Sequence, residues 1–203
     1  MKLVLASGNA RKLAELRELL GAAGLQVHAQ SEFGVGDIEE TSQTFVENAL
    51  LKARHAARAT GLPALGDDSG LCVDALDGAP GLLSARYAGV HGDAQANITK
   101  LLAALEGVPD ARRTAHFHCC IVLLRSADDP RPLIAEGRWA GRILHAARGA
   151  LGFGYDPVFL DVERGVSAAE IAPGEKNRIS HRGRAIAELL QMVLQAQATE
   201  RPA

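Results

Sequence analysis

Short apolar runs alternate with amphipathic helical stretches along almost the whole chain, and that alternation admits few architectures. Leu3–Ala6, Gln26–Ala29, Ala64–Leu65, Cys72–Ala75 and Val158–Leu160 read as strands. Leu13–Leu20, Phe45–Ala59, Asn97–Leu105 and Ile186–Leu194 carry apolar residues at helical spacing. Such alternation predicts an α/β sheet protein. One pair breaks it. Ala115–Leu124 and Leu133–Trp139 read as a hairpin, with Asp128-Asp129-Pro130-Arg131 supplying the turn. That hairpin makes the sheet mixed rather than purely parallel. No repeat, low-complexity tract or linker divides the 203 residues, enough for a single domain (1–203) or two lobes sharing a core.

The least ordinary stretch is Leu65-Gly66-Asp67-Asp68-Ser69-Gly70-Leu71-Cys72-Val73-Asp74. Adjacent acids repel, and a fold gains little from placing them among apolar residues unless a cation neutralises them. The alternative is an acidic surface turn, since Asp-Ser-Gly is common turn chemistry and the following glycine lets the backbone turn. The stretch alone leaves both readings open.

Other stretches supply what a site there would need. Ser7-Gly8-Asn9-Ala10-Arg11-Lys12 links the first strand to the first helix. Free N–H groups and the helix dipole favour an anion at such a place, while Ser7 or Asn9 acting only as a cap is the plainer reading. An acidic loop, Asp37-Ile38-Glu39-Glu40-Thr41, precedes Thr44-x-x-Glu47, a capping box opening the second helix. On that helix Lys52 lies one turn beyond Asn48, so the two share a face. Gly152-Phe153-Gly154-Tyr155-Asp156-Pro157 offers two aromatic faces and a carboxylate on a glycine-rich backbone. Ser180 reads as the cap of the last helix. His181 and Arg182 then fall in its first turn, where cations oppose the dipole, so an anion is expected there.

Charge and composition exclude partners. A formal net charge of -2 and 4% aromatic residues give neither a basic field nor a stacking platform for nucleic acid. No apolar run approaches the roughly 18 residues of a membrane helix. Cys72, Cys119 and Cys120 form no Cys-x-x-Cys and read as reduced thiols of a cytoplasmic protein. His116 and His118 alternate on a strand without a further matched ligand and read as ordinary strand residues. Tyr87 reads as packing and Arg86 is left open. The tail 199–203 is expected to fray.

Two basic anion sites, Lys52, several acids and a glycine-aromatic loop together suit a nucleoside triphosphate. Mg2+ is the expected ion, because it takes carboxylates, phosphate oxygens and water. The same stretches carry a resemblance. Ser7 to Lys12, Thr44-Phe45-Val46-Glu47-Asn48 through Ala53, Asp67-Asp68-Ser69-Gly70-Leu71, Gly78-Ala79-Pro80-Gly81, Ser84-Ala85-Arg86-Tyr87, Gly152 to Pro157 and Lys176-Asn177-Arg178-Ile179-Ser180-His181-Arg182 occur in the order found in the inosine triphosphate pyrophosphatase family. The chain resembles that family nearly end to end, with Ser7 where threonine is common.

The resemblance implies a long mixed β-sheet with two α/β lobes flanking a central substrate cleft, and a homodimer. It implies hydrolysis of ITP, dITP and XTP to the monophosphate and pyrophosphate, clearing them from the nucleotide pool. By position, Ser7, Gly8, Asn9, Ala10, Arg11, Lys12 and Lys52 would bind phosphates. Glu40 and Asp68 would hold Mg2+, with Asp68 also accepting a proton from water, and Asp67 would be a helper carboxylate. Ser69 would contact substrate, and Phe153, Gly154, Tyr155, Asp156, Lys176, His181 and Arg182 would bind the base. Competing readings are a pyrophosphatase of similar fold acting on canonical or methylated nucleotides, as in the Maf-like proteins, and a nucleotide-binding module without catalysis.

Overall fold

The computed structural model describes residues 2–199, so residues 200–203 of the expected frayed tail lie outside it. The elements are β1 (Lys2–Leu5), α1 (Ala10–Gly21), β2 (Gln26–Ala29), α2 (Phe45–Thr60), β3 (Ala64–Val73), α3 (Ala94–Ala104), β4 (Thr114–Leu124), β5 (Leu133–Ile143), β6 (Phe159–Asp161), β7 (Val166–Ser167), α4 (Pro173–Ile179) and α5 (His181–Thr199). Short 3-10 turns connect several of them. The seven strands follow the order β2-β1-β3-β4-β5-β6-β7. β1 pairs in parallel with β2 and β3, whereas β6 pairs antiparallel with β5 and β7. The sheet is therefore mixed and the class α/β, as the sequence predicts.

The helix starts follow local chemistry. Asn9 caps α1, its Oδ1 accepting from the N–H groups of Arg11 and Lys12. Thr44 caps α2, its Oγ1 accepting from Glu47 N and donating to the Glu47 carboxylate. Gly61, at φ 68°, closes α2 in the left-handed conformation that favours glycine. Two expectations change. Ala64–Leu65 and Cys72–Ala75 are not separate strands around an acidic turn, because β3 runs unbroken through both aspartates. Pro173–Ile179, where no helix is expected ahead of the last one, forms α4 with Pro173 in its first turn.

The chain divides into two compact units. Unit 1 comprises Met1–Asp68, Cys119–Gly137 and Arg182–Ala203, and unit 2 comprises Ser69–His118 and Arg138–His181. The division falls within β3, β4 and β5. In unit 1, alternation along the strands serves cores on both of their faces. Leu3, Leu5, Leu65, Cys119 and Ile121 cluster with Leu16 and Leu20 of α1 and Ile186 and Leu189 of α5. Cys120, Val122 and Leu124 cluster with Ala49 and Ala53 of α2, and Val4 and Ala64 with Ala56 and Ala57. Each fully buried leucine contributes about 2 kcal/mol. The alanines of α2 give up such burial for a close approach to β3. In unit 2, Leu71, Val73, Ile98, Leu101, Phe117, Trp139, Tyr155 and Phe159 form one core.

Candidate active site

Because successive side chains of a strand leave opposite faces, Asp67 and Asp68 are neighbours in sequence but not in surroundings. Asp67 shares the face of Leu65. There its Oδ1 accepts from Lys12 Nζ at 2.6 Å and its Oδ2 from Arg182 Nε at 2.7 Å. Cys119 Sγ approaches Oδ2 at 3.7 Å. Arg182 Nη1 also donates to Glu15 Oε2 at 2.6 Å. Asp67 is completely buried. Burial would raise its pKa, but the Arg182 and Lys12 charges hold it well below the usual carboxylate range. It is a carboxylate clamped by two cations.

Asp68 shares the face of Gly66 and meets α2. Its Oδ1 accepts from Lys52 Nζ at 2.8 Å, and Asn48 Nδ2 lies 3.4 Å from Oδ2. The same ammonium donates to Glu40 Oε1 at 2.9 Å. Burial pushes the Asp68 carboxyl up, and the Lys52 charge offsets this only in part. Lys52 is raised too: burial opposes its charge, but the Asp68 and Glu40 carboxylates outweigh that. Two carboxylates thus share one ammonium. Carboxylates with environments that push them apart are a common basis for separate roles in catalysis. Of the two neighbours on β3, Asp67 is held low and Asp68 is pushed up.

The same geometry tests the fit of a metal. Glu40 and Asp68 converge on one cation, and the donors are hard oxygens, as Mg2+ requires. Among the described residues no group of three or more His, Cys, Asp or Glu side chains could hold an ion. A cation at Glu40 and Asp68 would therefore complete its shell with water and substrate oxygens. The residues fit Mg2+ in that manner.

The Ser7–Lys12 segment is tightly organised. Ser7 Oγ accepts from Asn9 N at 3.1 Å, and the Arg11 and Lys12 N–H groups go to Asn9. Capping is thus the observed state of this loop. Lys12 has three N–H donors, so its bond to Asp67 leaves capacity for a phosphate. Gly8 lies so near Asp37 that a Cβ there would meet Asp37 Oδ2 at 2.4 Å.

Unit 2 holds the glycine-aromatic residues. Asp156, 2% exposed, accepts from Phe153 N at 2.7 Å and from Lys176 Nζ at 2.5 Å. Lys176 Nζ also stands 5.0 Å from the Phe153 ring centre. Asp156, Phe153 and Lys176 therefore form one cluster, with Gly152 beside Asp156 where a Cβ would clash at 2.1 Å. Tyr155 corrects the expectation of a second open aromatic face. Its ring is 5% exposed within the unit 2 core, and its hydroxyl donates to Ser84 O at 3.0 Å. Ser84 Oγ accepts from Leu71 N and donates to Gly81 O, which ties the chain after the acidic pair to the Gly81–Arg86 turn. Ser69 is partly buried at the start of unit 2.

The structure thus groups Lys12, Lys52, Glu40, Asp67, Asp68 and Arg182 in unit 1, and Phe153, Gly154, Tyr155, Asp156, Lys176 and His181 in unit 2. The anion expected at the basic start of α5 is a pair of protein carboxylates, Asp67 and Glu15, on Arg182. Glu15 was not singled out from sequence, although it stands within a turn of Lys12, where helix neighbours meet. His116 Nδ1 lies 3.2 Å from Arg138 Nη2, and Cys119 and Cys120 pack in two of the unit 1 cores. No helix among the described residues is long and apolar enough to cross a membrane.

Comparison with known proteins bears on what these clusters do. A profile of the Ham1 family matches residues 3–192. The chain is 60% identical over 191 residues to a dITP/XTP pyrophosphatase of Thioalkalivibrio sulfidiphilus, covering 94% of this chain and 97% of that one. It is 62% identical over 187 residues to the dITP/XTP pyrophosphatase of Xanthomonas campestris pv. campestris, covering 92% and 94%. Among solved structures, a HAM1 protein from Coxiella burnetii superposes with a TM-score of 0.88 at 51% identity, covering 96% and 99% of the two chains. The Staphylococcus aureus Ham1 protein gives 0.84 at 38% identity, covering 97% and 100%.

Proposed function

The chain belongs to the Ham1 family, and from that premise we propose how its residues divide the work of a nucleoside-triphosphate pyrophosphatase. It hydrolyses non-canonical purine nucleotides, ITP, dITP and XTP, releasing pyrophosphate and so keeping them out of DNA and RNA. The observation that carries the residue assignment is the Lys52 ammonium shared by Glu40 and Asp68. Lys12, Lys52 and Arg182 are each already paired with carboxylates, so a triphosphate arriving here needs an added cation. We assign Mg2+ to Glu40 and Asp68. When bound it supplies neutralisation of charge on the phosphate oxygens.

The protein's own part is largely positioning. Ser7 to Lys12 and Lys52 hold the phosphates. Asp68 accepts the proton as a water oxygen attacks the α-phosphorus; the α–β P–O bond breaks and pyrophosphate departs. Phe153 offers its face to the base, with Asp156 fixing its backbone and Lys176 beside it. His181 and backbone N–H groups donate to the oxygen at position six of hypoxanthine or xanthine. Adenine has an amino group there, which would leave those donors unpaired. Arg182 acts through Asp67 and Glu15. Dimerisation and a cytoplasmic location are proposed on the resemblance to the inosine triphosphate pyrophosphatase family, and sedimentation at twice the chain mass would support the first.

Pyrophosphate release from ITP, XTP, GTP, ATP and dTTP, each with and without Mg2+, tests this reading. ITP and XTP are expected to exceed ATP by about 100-fold in kcat/KM, since a hydrogen-bonding site rejects a mismatched partner strongly. Chelation is expected to abolish turnover. Equal rates on all five would defeat the selectivity, and full activity without divalent metal would defeat the assignment of Glu40 and Asp68.

A further inference from the structure

We propose that Phe117 is a positioning residue for base choice, acting by fixing the plane of the His181 imidazole. The inference rests on the reading of His181 as a donor to the base. Phe117 belongs to β4 and is 8% exposed. Its ring stacks on His181, with centroids 4.8 Å apart and planes 14° apart. Its other neighbours hold it in turn. Phe159 tilts against it at 4.6 Å and Trp139 stacks at 6.3 Å. Trp139 is itself pinned, its indole N–H donating to Asp161 Oδ2 at 3.1 Å.

His181 opens α5, so its backbone is set by the helix start. That leaves the ring's own torsion, which is broad and nearly two-fold for a histidine and is not fixed by backbone geometry. Both imidazole N–H directions lie in the ring plane. A hydrogen bond weakens steeply once its angle falls toward about 120°. Fixing the plane therefore fixes the line along which His181 can meet an oxygen on the base. A ring stacked face to face does this without competing for either nitrogen. A phenylalanine is suited to the task because it offers a flat face and no polar group.

A merely structural Phe117 would predict loss of stability alone, so the test compares substitutions within one core. For Phe117→Leu, the preference for ITP over ATP in kcat/KM is expected to fall about tenfold, the worth of one well-aligned hydrogen bond. The loss should appear chiefly as a raised KM for ITP with kcat little changed. Phe117→Tyr, which keeps the ring face, should retain the preference. So should Leu101→Ala, which damages the same core without removing a ring packed on Phe117. In a double-mutant cycle, adding Phe117→Leu to His181→Ala should change the preference no further, because the two act as one. Fluorescence of Trp139 monitors folding throughout, and Phe117→Met carries the same expectation should the leucine variant not fold. Unchanged preference in Phe117→Leu, with His181→Ala losing it, would overturn the proposal and leave the reading of His181 standing. Unchanged preference in His181→Ala would overturn that reading itself. Multiplying effects in the cycle would show Phe117 acting independently and also overturn the proposal.

Discussion

The Asp68→Asn variant is expected to turn over ITP about 100- to 10,000-fold more slowly, the usual worth of a positioned general base. The asparagine keeps the size of the side chain, and Lys52 keeps Glu40 as a partner. Glu40 and the asparagine oxygen can still hold a cation, so binding of ITP, measured by calorimetry, should fall far less than turnover, and the loss should fall chiefly on kcat. Wild-type turnover in this variant would remove Asp68 from the mechanism. The matching substitution one residue earlier should behave differently. Asp67→Asn leaves the Arg182 guanidinium, 3% exposed, with Glu15 as its remaining charged partner of those described above. Breaking a buried ion pair on one side costs about 3–5 kcal/mol. The expected signature is a fall in Tm, measured by thermal unfolding, before any specific effect on kcat. A variant as stable as the natural protein would show that the clamp on Asp67 contributes little.

Gly66→Ala is expected to lower both Tm and kcat. A Cβ on Gly66 would stand 2.0 Å from Ala49 O, 2.9 Å from Ala49 C and 3.1 Å from Ala53 N. These are backbone atoms of α2, so no side chain can swing aside and the helix itself must move. Overpacking of this kind costs about 2 kcal/mol, which corresponds to roughly 4–8 °C in Tm for a chain of this size. The catalytic effect follows from position on the helix. Asn48 and Lys52 adjoin Ala49 and Ala53, and both reach Asp68. Displacing α2 lengthens the Lys52–Asp68 contact and loosens the convergence of Glu40 and Asp68. Thermal unfolding and steady-state kinetics on ITP check the two effects together. Gly66→Val should be worse in both. An alanine variant with unchanged Tm and kcat would mean that α2 and β3 can part at no cost.

Much of this architecture is legible in local chemistry. The Thr44–Glu47 capping box and the apolar spacing place α2, and shared-face spacing joins Asn48 to Lys52. The alternation of strands and helices gives the α/β class. What local chemistry does not give is the straight passage of β3 through two aspartates. The cations that make this tolerable lie 55 residues away at Lys12 and 115 residues away at Arg182. Read locally, Asp-Asp-Ser-Gly leaves a turn and a cation site both open, and the charges that let a strand pass through it are distant. The burial of Tyr155 is hidden from local sequence for the same reason. Its hydrogen-bond acceptor, Ser84 O, is 71 residues distant, so the sequence offers an aromatic beside glycines and no sign that it is buried. The basic start of α5 suggests an arriving anion, whereas the carboxylates on Arg182 come from within the chain, from α1 and β3.

The passage of β3 through both acids also limits how this segment can vary in length. A strand advances about 3.3 Å per residue and reverses its faces at every step. Insertion or deletion of one residue between Leu65 and Asp67 would leave the composition nearly unchanged. It would nevertheless present Asp68 to Arg182 and Asp67 to Lys52. Chemistry and folding would fail in a single event, whereas a two-residue change would preserve the faces and shift only the register. Grafting this segment into another sheet therefore demands parity as well as sequence: the recipient strand must be in phase, odd with odd and even with even.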